Sequence, residues 1–325
     1  MKTWALFVVV LSSVAFADSQ QPQPSKQQPP SNPGYSGHGA NSVSEKEIAK
    51  YLAPQLPDTV ARRIQTMLDV RGAGGGIMTA KGDRMVFNTR ITGTSQIWRQ
   101  DGPMKFAIQL TGGEDRTAAV DITPDDRWIV VSRDVGGQEN PGLYLMPIEG
   151  GQLKLVQHAP KVQSSLQYVS DDSKWLYFRA NDIAEDSYAI YRYDINAGKK
   201  ELVFDQKGLW SIADRKGDQW LMYKQLGSAQ VEIYSYDLKS KQLTPVLGQN
   251  ELEEYEVQFG AKPGQVLVKT NKPSDFRRVY SFERGKLTPI TPELKYDVDE
   301  FSIDDARQRI YYRINEGGYS KLAVL

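Results

Sequence analysis

An all-β fold is what this sequence predicts, and three observations predict it. Aromatic side chains make up 10% of the 325 residues, with 17 Tyr among them, a bias toward half-buried pleated surfaces. Beyond Gly72 the helical period vanishes, and short apolar runs alternate with Gly- and Asp-bearing turns. Above all, one turn-plus-strand unit returns six times. Its first strand residues are Met85, Trp128, Trp175, Trp220, Val266 and Ile310, separated by 43, 47, 45, 46 and 44 residues.

The units share one grammar. In the second, Ala119-Val120-Asp121-Ile122 precedes the Asp125-Asp126 turn and the apolar strand from Trp128. Gly142-Leu143-Tyr144-Leu145 and Leu153-Lys154-Leu155-Val156 then supply a third and a fourth strand. Four short antiparallel strands at roughly 40–50-residue intervals are the pattern of a β-propeller blade. One such sheet cannot bury both faces, but blades stacked radially bury each other's, with the aromatic at the head of the second strand placed between them. An unrelated β-sandwich would not hold so constant a period. The expectation is an all-β β-propeller over 72–325, preceded by short helices.

Taken in order, Met1–Ala17 has a basic start at Lys2, an apolar run from Trp4 to Val10, and small residues at Ala15 and Ala17. This reads as a secretory signal peptide cleaved after Ala17. It is shorter than the roughly 20 residues that span a bilayer, so an exported chain, periplasmic or secreted, without a membrane span is expected. Residues 18–43 are rich in Gln, Pro, Ser and Gly and read as a disordered linker. Within it, Gly34-Tyr35-Ser36-Gly37-His38 has its second glycine one place too early for a nucleophile elbow, and no strand or helix flanks it.

Residues 44–71 read as a helical lead-in. Ser44 is the N-cap, with Glu47 completing a capping box, and two helices are expected at Glu45–Leu52 and Pro57–Val70. Val60, Ile64, Met67 and Leu68 share a face, expected to pack on the following domain. From Gly76 to Leu325 there is room for about five and a half blades, the sixth unit reaching only its third strand at Ser320–Leu325. That ending would leave an apolar edge unpaired. The expectation is therefore that the chain is a fragment of something longer, rather than a propeller whose last strand comes from its other end.

Several chemistries are excluded. Forty Lys+Arg balance 40 Asp+Glu, so no general field draws in nucleic acid or an anionic membrane. Zero Cys excludes disulfides and thiolate metal sites, and two His leave little imidazole chemistry. No cofactor and no metal are expected. The Asp125-Asp126, Asp171-Asp172 and Asp304-Asp305 pairs lack the spacing of a calcium loop and read as tight turns. Gly72–Gly76 matches neither phosphate-binding glycine motif, and His158 reads as a loop or edge residue.

Certain segments carry a family likeness. Leu56-Pro57-Asp58-Thr59-Val60-Ala61-Arg62-Arg63 resembles the helix before the propeller of bacterial prolyl oligopeptidase-type serine peptidases. Thr92–Arg99, the Ser132–Tyr144 loop, Asp299–Ile303 and Tyr312–Tyr319 are similar too, so the likeness runs from about Leu56 to Leu325. The turn-plus-strand repeat alone is shared with TolB-like periplasmic propellers. The resemblance implies the non-catalytic half of such an enzyme, a lid that admits peptides to an α/β-hydrolase domain bearing the Ser–Asp–His triad. No Gly-x-Ser-x-Gly occurs in this chain, so it is expected to hydrolyse nothing by itself.

The expected partners are thus an α/β-hydrolase domain and peptide substrates. The alternative is a stand-alone TolB-like module for protein interaction. No catalytic residue is assigned. The candidates for substrate contact are Glu253 and Glu254, because relatives hold a peptide's amino terminus with propeller glutamates, and Arg133, which opens a long polar loop. The ordinary reading of the Glu251–Glu256 charge run is a solvated face.

Overall fold

The computed structural model describes residues 44–325. The signal-peptide reading at 1–17, the linker at 18–43 and His38 lie outside the described residues. The chain divides after Asp69 into two compact units.

The first unit holds helices α1, Glu45–Tyr51, and α2, Asp58–Leu68. The Ser44 side chain accepts from Glu47 N, as the capping motif requires. Pro57 stands as the N-cap of α2, a position where its missing N–H costs nothing. Val60, Ile64, Met67 and Leu68 are all exposed. No described helix is long and apolar enough to cross a membrane.

The second unit, Val70–Leu325, is a β-propeller of six antiparallel sheets, five with four strands and the last with three. Blade two runs Thr117–Ile122, Trp128–Arg133, Gly142–Pro147 and Lys154–Gln157. The first strands of the other blades are Ala73–Met78, Ser164–Val169, Leu209–Lys216, Glu256–Phe259 and Val298–Ile303. The repeat places the second strands well: they begin at Met85, Trp128, Trp175, Val266 and Ile310, and in blade four at Gln219, one residue before Trp220.

The core lies between the blades. Five apolar clusters each join one blade to the next, such as Val130, Leu143 and Leu145 with Leu176 and Phe178 across blades two and three. The expected aromatic packing is densest between blades three and four. There Trp220 is fully buried, edge-on to Tyr168 and Tyr177 and tilted against Tyr236.

First strands adjoin first strands around the axis. Gln167 accepts from Ile212 N, Asp214 from Phe259 N and Gln258 from Ile303 N, each across one blade junction. The aspartates of the turns between first and second strands serve the turns, as their spacing suggested. Asp172 accepts from the Ser170 hydroxyl and Lys174 N, which holds its carboxyl below the usual carboxylate range. Asp126 sits at φ 59° and caps the neighbouring turn by accepting from Ala80 N at 2.7 Å. The three-stranded last blade ends with Tyr319, Leu322 and Val324 exposed.

Candidate functional site

Strand alternation sorts the connections onto two faces. Turns from first to second strand emerge on one face. Loops from second to third strand, and those linking one blade to the next, emerge on the other. Arg133 closes a second strand, while Glu253 and Glu254 immediately precede the first strand of blade five. All three therefore belong to the second face. The fold does not join them, however: Arg133 stands in blade two, and no hydrogen bond or ion pair connects it to either glutamate among the described residues.

The loop after Arg133 is built rather than loose. The Arg133 guanidinium lies 3.6 Å from the Asp115 carboxylate, whose other oxygen accepts from Gly136 N at 2.9 Å. Asp134 accepts from Glu139 N and Asn140 N, closing the loop on itself through Gly136 and Gly137, both with positive φ. At its far end the Tyr144 hydroxyl meets His158 Nδ1 at 2.9 Å, so His158 is fixed by a side chain of the adjoining strand. Burial pushes the Tyr144 phenol up, Arg133 opposing it and Asp115 reinforcing it.

Gly142 is required at the start of the third strand, because a Cβ there would come within 2.7 Å of His158 Cβ and 2.9 Å of Gln157 O. Replacing Gly142 by Ala is expected to displace His158 and cost about 1–3 kcal/mol, read as a lower urea midpoint. An unchanged midpoint would contradict that packing.

The acidic stretch is less solvated than a charge run suggests. Glu251 pairs with Lys272 at 2.6 Å, and this bond first, then that from the Tyr255 hydroxyl, holds its carboxyl below the usual range. Glu254 accepts from Arg277 at 3.1 Å, and Glu256 pairs with the buried Lys269, which also donates to Asp299 O at 2.6 Å. Glu254, Tyr255, Lys269 and Arg277 line a cavity of about 280 Å³. Glu253 takes part through its carbonyl, which accepts from Val231 N, and its carboxylate forms no ion pair among the described residues.

Two more cavities open beside the Arg133 loop, one of about 440 Å³ lined by blade two and its loop, the second of about 370 Å³ lined by blades two and three. Asp121 lies in the second, half-buried, its carboxyl pushed up by burial and held in part by Ile122 N. Sequence reasoning missed Asp121, Lys269, Lys272 and Arg277. The basic residues after the fifth unit's second strand offered a signal for Lys272 and Arg277, since their loop shares a face with the acidic stretch, whereas Lys269 lies within the strand itself.

This face can bind charged and hydrogen-bonding groups. It carries no serine–histidine pair among the described residues, where the one imidazole, His158, is bonded to Tyr144 and not to a serine.

No family model matches the chain, and no curated protein matches it. Solved structures do. A structure from a study of two prolyl endopeptidases and their inter-domain dynamics superposes with a TM-score of 0.65 at 14% identity, covering 82% of this chain and 43% of that one. The β-propeller domain of the Trilobed protease from Pyrococcus furiosus matches at 0.54 and 16%, covering 78% of this chain and 81% of that one. Acylaminoacyl peptidase, in complex with Z-Gly-Gly-Phe-chloromethyl ketone, matches at 0.54 and 16%, covering 78% of this chain and 43% of that one. The chain thus spans less than half of the two peptidases and most of the isolated propeller domain. What it shares with all three is the β-propeller fold.

Proposed function

We propose that this chain is the non-catalytic, substrate-gating propeller of an exported serine peptidase of the prolyl oligopeptidase type, acting beside an α/β-hydrolase domain that this sequence does not contain. The observation that supports this reading most is the pattern of coverage. The chain matches 81% of a protease's propeller domain and 43% of each of two peptidases. The charged second face fits the role, because it offers fixed carboxylates and cations to a passing peptide without chemistry of its own. Glu254 lines one of its cavities, and Arg133 stands between Ser132 and Asp134, which line another. Export rests on Met1–Ala17.

The division of labour sets the test. The purified 325-residue chain is expected to remain unlabelled by a fluorophosphonate and to cleave no peptide amide or ester, since a serine needs a base within hydrogen-bond reach. Stoichiometric labelling would overturn the non-catalytic assignment.

A further inference from the structure

The junction of blades two and three departs from the three that follow it. Gln167, Asp214 and Gln258 each accept from a backbone N–H 45 residues further on, at 2.7–2.9 Å. Asp121 holds the corresponding place in blade two, yet its carboxylate accepts from the adjacent Ile122 N at 2.8 Å. Where that bridge is missing, a cleft opens. The cavities of about 440 and 370 Å³ adjoin there, sharing Val120, Ser132 and Pro141.

The backbone explains why Asp121 looks into it. A bulge between Ala119 and Asp121 interrupts the pleat, so Val120 and Asp121 line the same cavity instead of pointing to opposite faces. Arg116 lies nearer the loop end of this strand, and its guanidinium has no hydrogen-bond or ion-pair partner among the described residues. On the opposing wall Ser164 is 2% exposed, and its Oγ makes no hydrogen bond. Buried hydroxyls are seldom left unpaired, so this one marks a place where a donor or acceptor is missing. Asp121, Asp134 and Glu139 stand against Arg116 alone, leaving the cleft a formal charge of −2. Asp134 is already engaged by Glu139 N and Asn140 N, whereas Asp121 and the exposed Glu139 keep unfilled acceptor capacity, and of these two only Asp121 lines the cavity that Ser164 also lines.

We infer that this cleft receives a cationic side chain, arginine or lysine, from an extended peptide, with Asp121 as its anionic anchor and Ser164 Oγ as a further acceptor. The inference rests on the peptide-handling reading above and names the residue class that the propeller selects. A guanidinium or ammonium supplies only donors, which is what a carboxylate and a hydroxyl lacking donors require. Arg116 meets carbonyls of the same peptide at the mouth.

The test is fluorescence anisotropy of the purified full chain with labelled, acetylated and amidated peptides. These differ only at the central residue: arginine, citrulline, lysine or norleucine. Arginine and lysine peptides are expected to bind at least about tenfold tighter than their neutral counterparts, and Asp121→Asn is expected to abolish that preference. The substitution removes a carboxylate that burial disfavours, so its melting temperature should match or exceed that of the parent. Ser164→Ala should weaken arginine binding several-fold. Equal affinity for arginine and citrulline peptides, or a preference that survives Asp121→Asn, would overturn the inference. Should the Asp121→Asn protein fail to fold, the arginine–citrulline comparison on the parent chain decides alone. No hydrolase enters this assay, so its failure leaves the peptidase-propeller reading to be judged by its own experiments.

Discussion

Trp220→Ala is expected to lower stability by about 3–5 kcal/mol, the range for removing a large buried aromatic. The indole is 0% exposed and lies within 6.3 Å, centroid to centroid, of Tyr168, Tyr177 and Tyr236. Its Nε1 donates to the Tyr168 hydroxyl at 3.1 Å, so truncation also leaves a largely buried phenol without that partner. Tyr168 and Tyr177 stack at 4.4 Å and belong to blade three, whereas Trp220 and Tyr236 belong to blade four. The substitution therefore attacks a junction between blades rather than the interior of one. Guanidinium unfolding followed by tryptophan fluorescence and by far-ultraviolet circular dichroism checks it. A loss below about 1 kcal/mol would mean that the junction repacks, contrary to the close packing of protein interiors.

The second large effect is expected at Arg307. This residue lies in the turn after the first strand of blade six, at φ 56°. Its guanidinium donates to both oxygens of Asp214 in blade four, at 2.7 and 3.0 Å, and to Phe259 O and Arg215 O. One side chain thereby ties three blades together. Both partners are less than one-fifth exposed, so screening by solvent is limited. Arg307→Ala is expected to cost about 2–4 kcal/mol, mostly by leaving Asp214 partly buried without a cation. Adding Asp214→Asn should recover part of that loss. A double-mutant cycle with no coupling would show that the pair does not hold these blades.

Much of this architecture could be read from the chain because its physics is local. A turn residue that tolerates positive φ, followed by an apolar strand headed by a bulky side chain, recurs wherever a blade must turn and bury its face. Ser44 likewise announces its helix through one side-chain bond. The site was harder to read, because it depends on register and on pairs distant in sequence. Asp121 sits in a strand whose alternation sends it to the face opposite Val120, and only the bulge beside it brings both into the cleft. The pairing of Glu254 with Arg277 spans 23 residues and two loops that meet only after blade five has formed. Arg133 and the glutamates were legible as conspicuous residues, and the fold sets them on one face in different blades. Nothing local specified that the Arg133 loop would be closed by Asp115 and Asp134, since those bonds depend on the loop's own compact shape.

The propeller reading is tested most directly in the cell that makes this protein. An antibody to the propeller captures the native species, which is then treated with a fluorophosphonate probe and weighed by intact mass. The expected result is a captured species that carries the probe on a serine hydrolase domain, either in the same chain or bound to it. Its mass would then be well above 36.6 kDa. Capture of a species no heavier than that, unlabelled and with no labelled partner, would contradict the assignment to a peptidase.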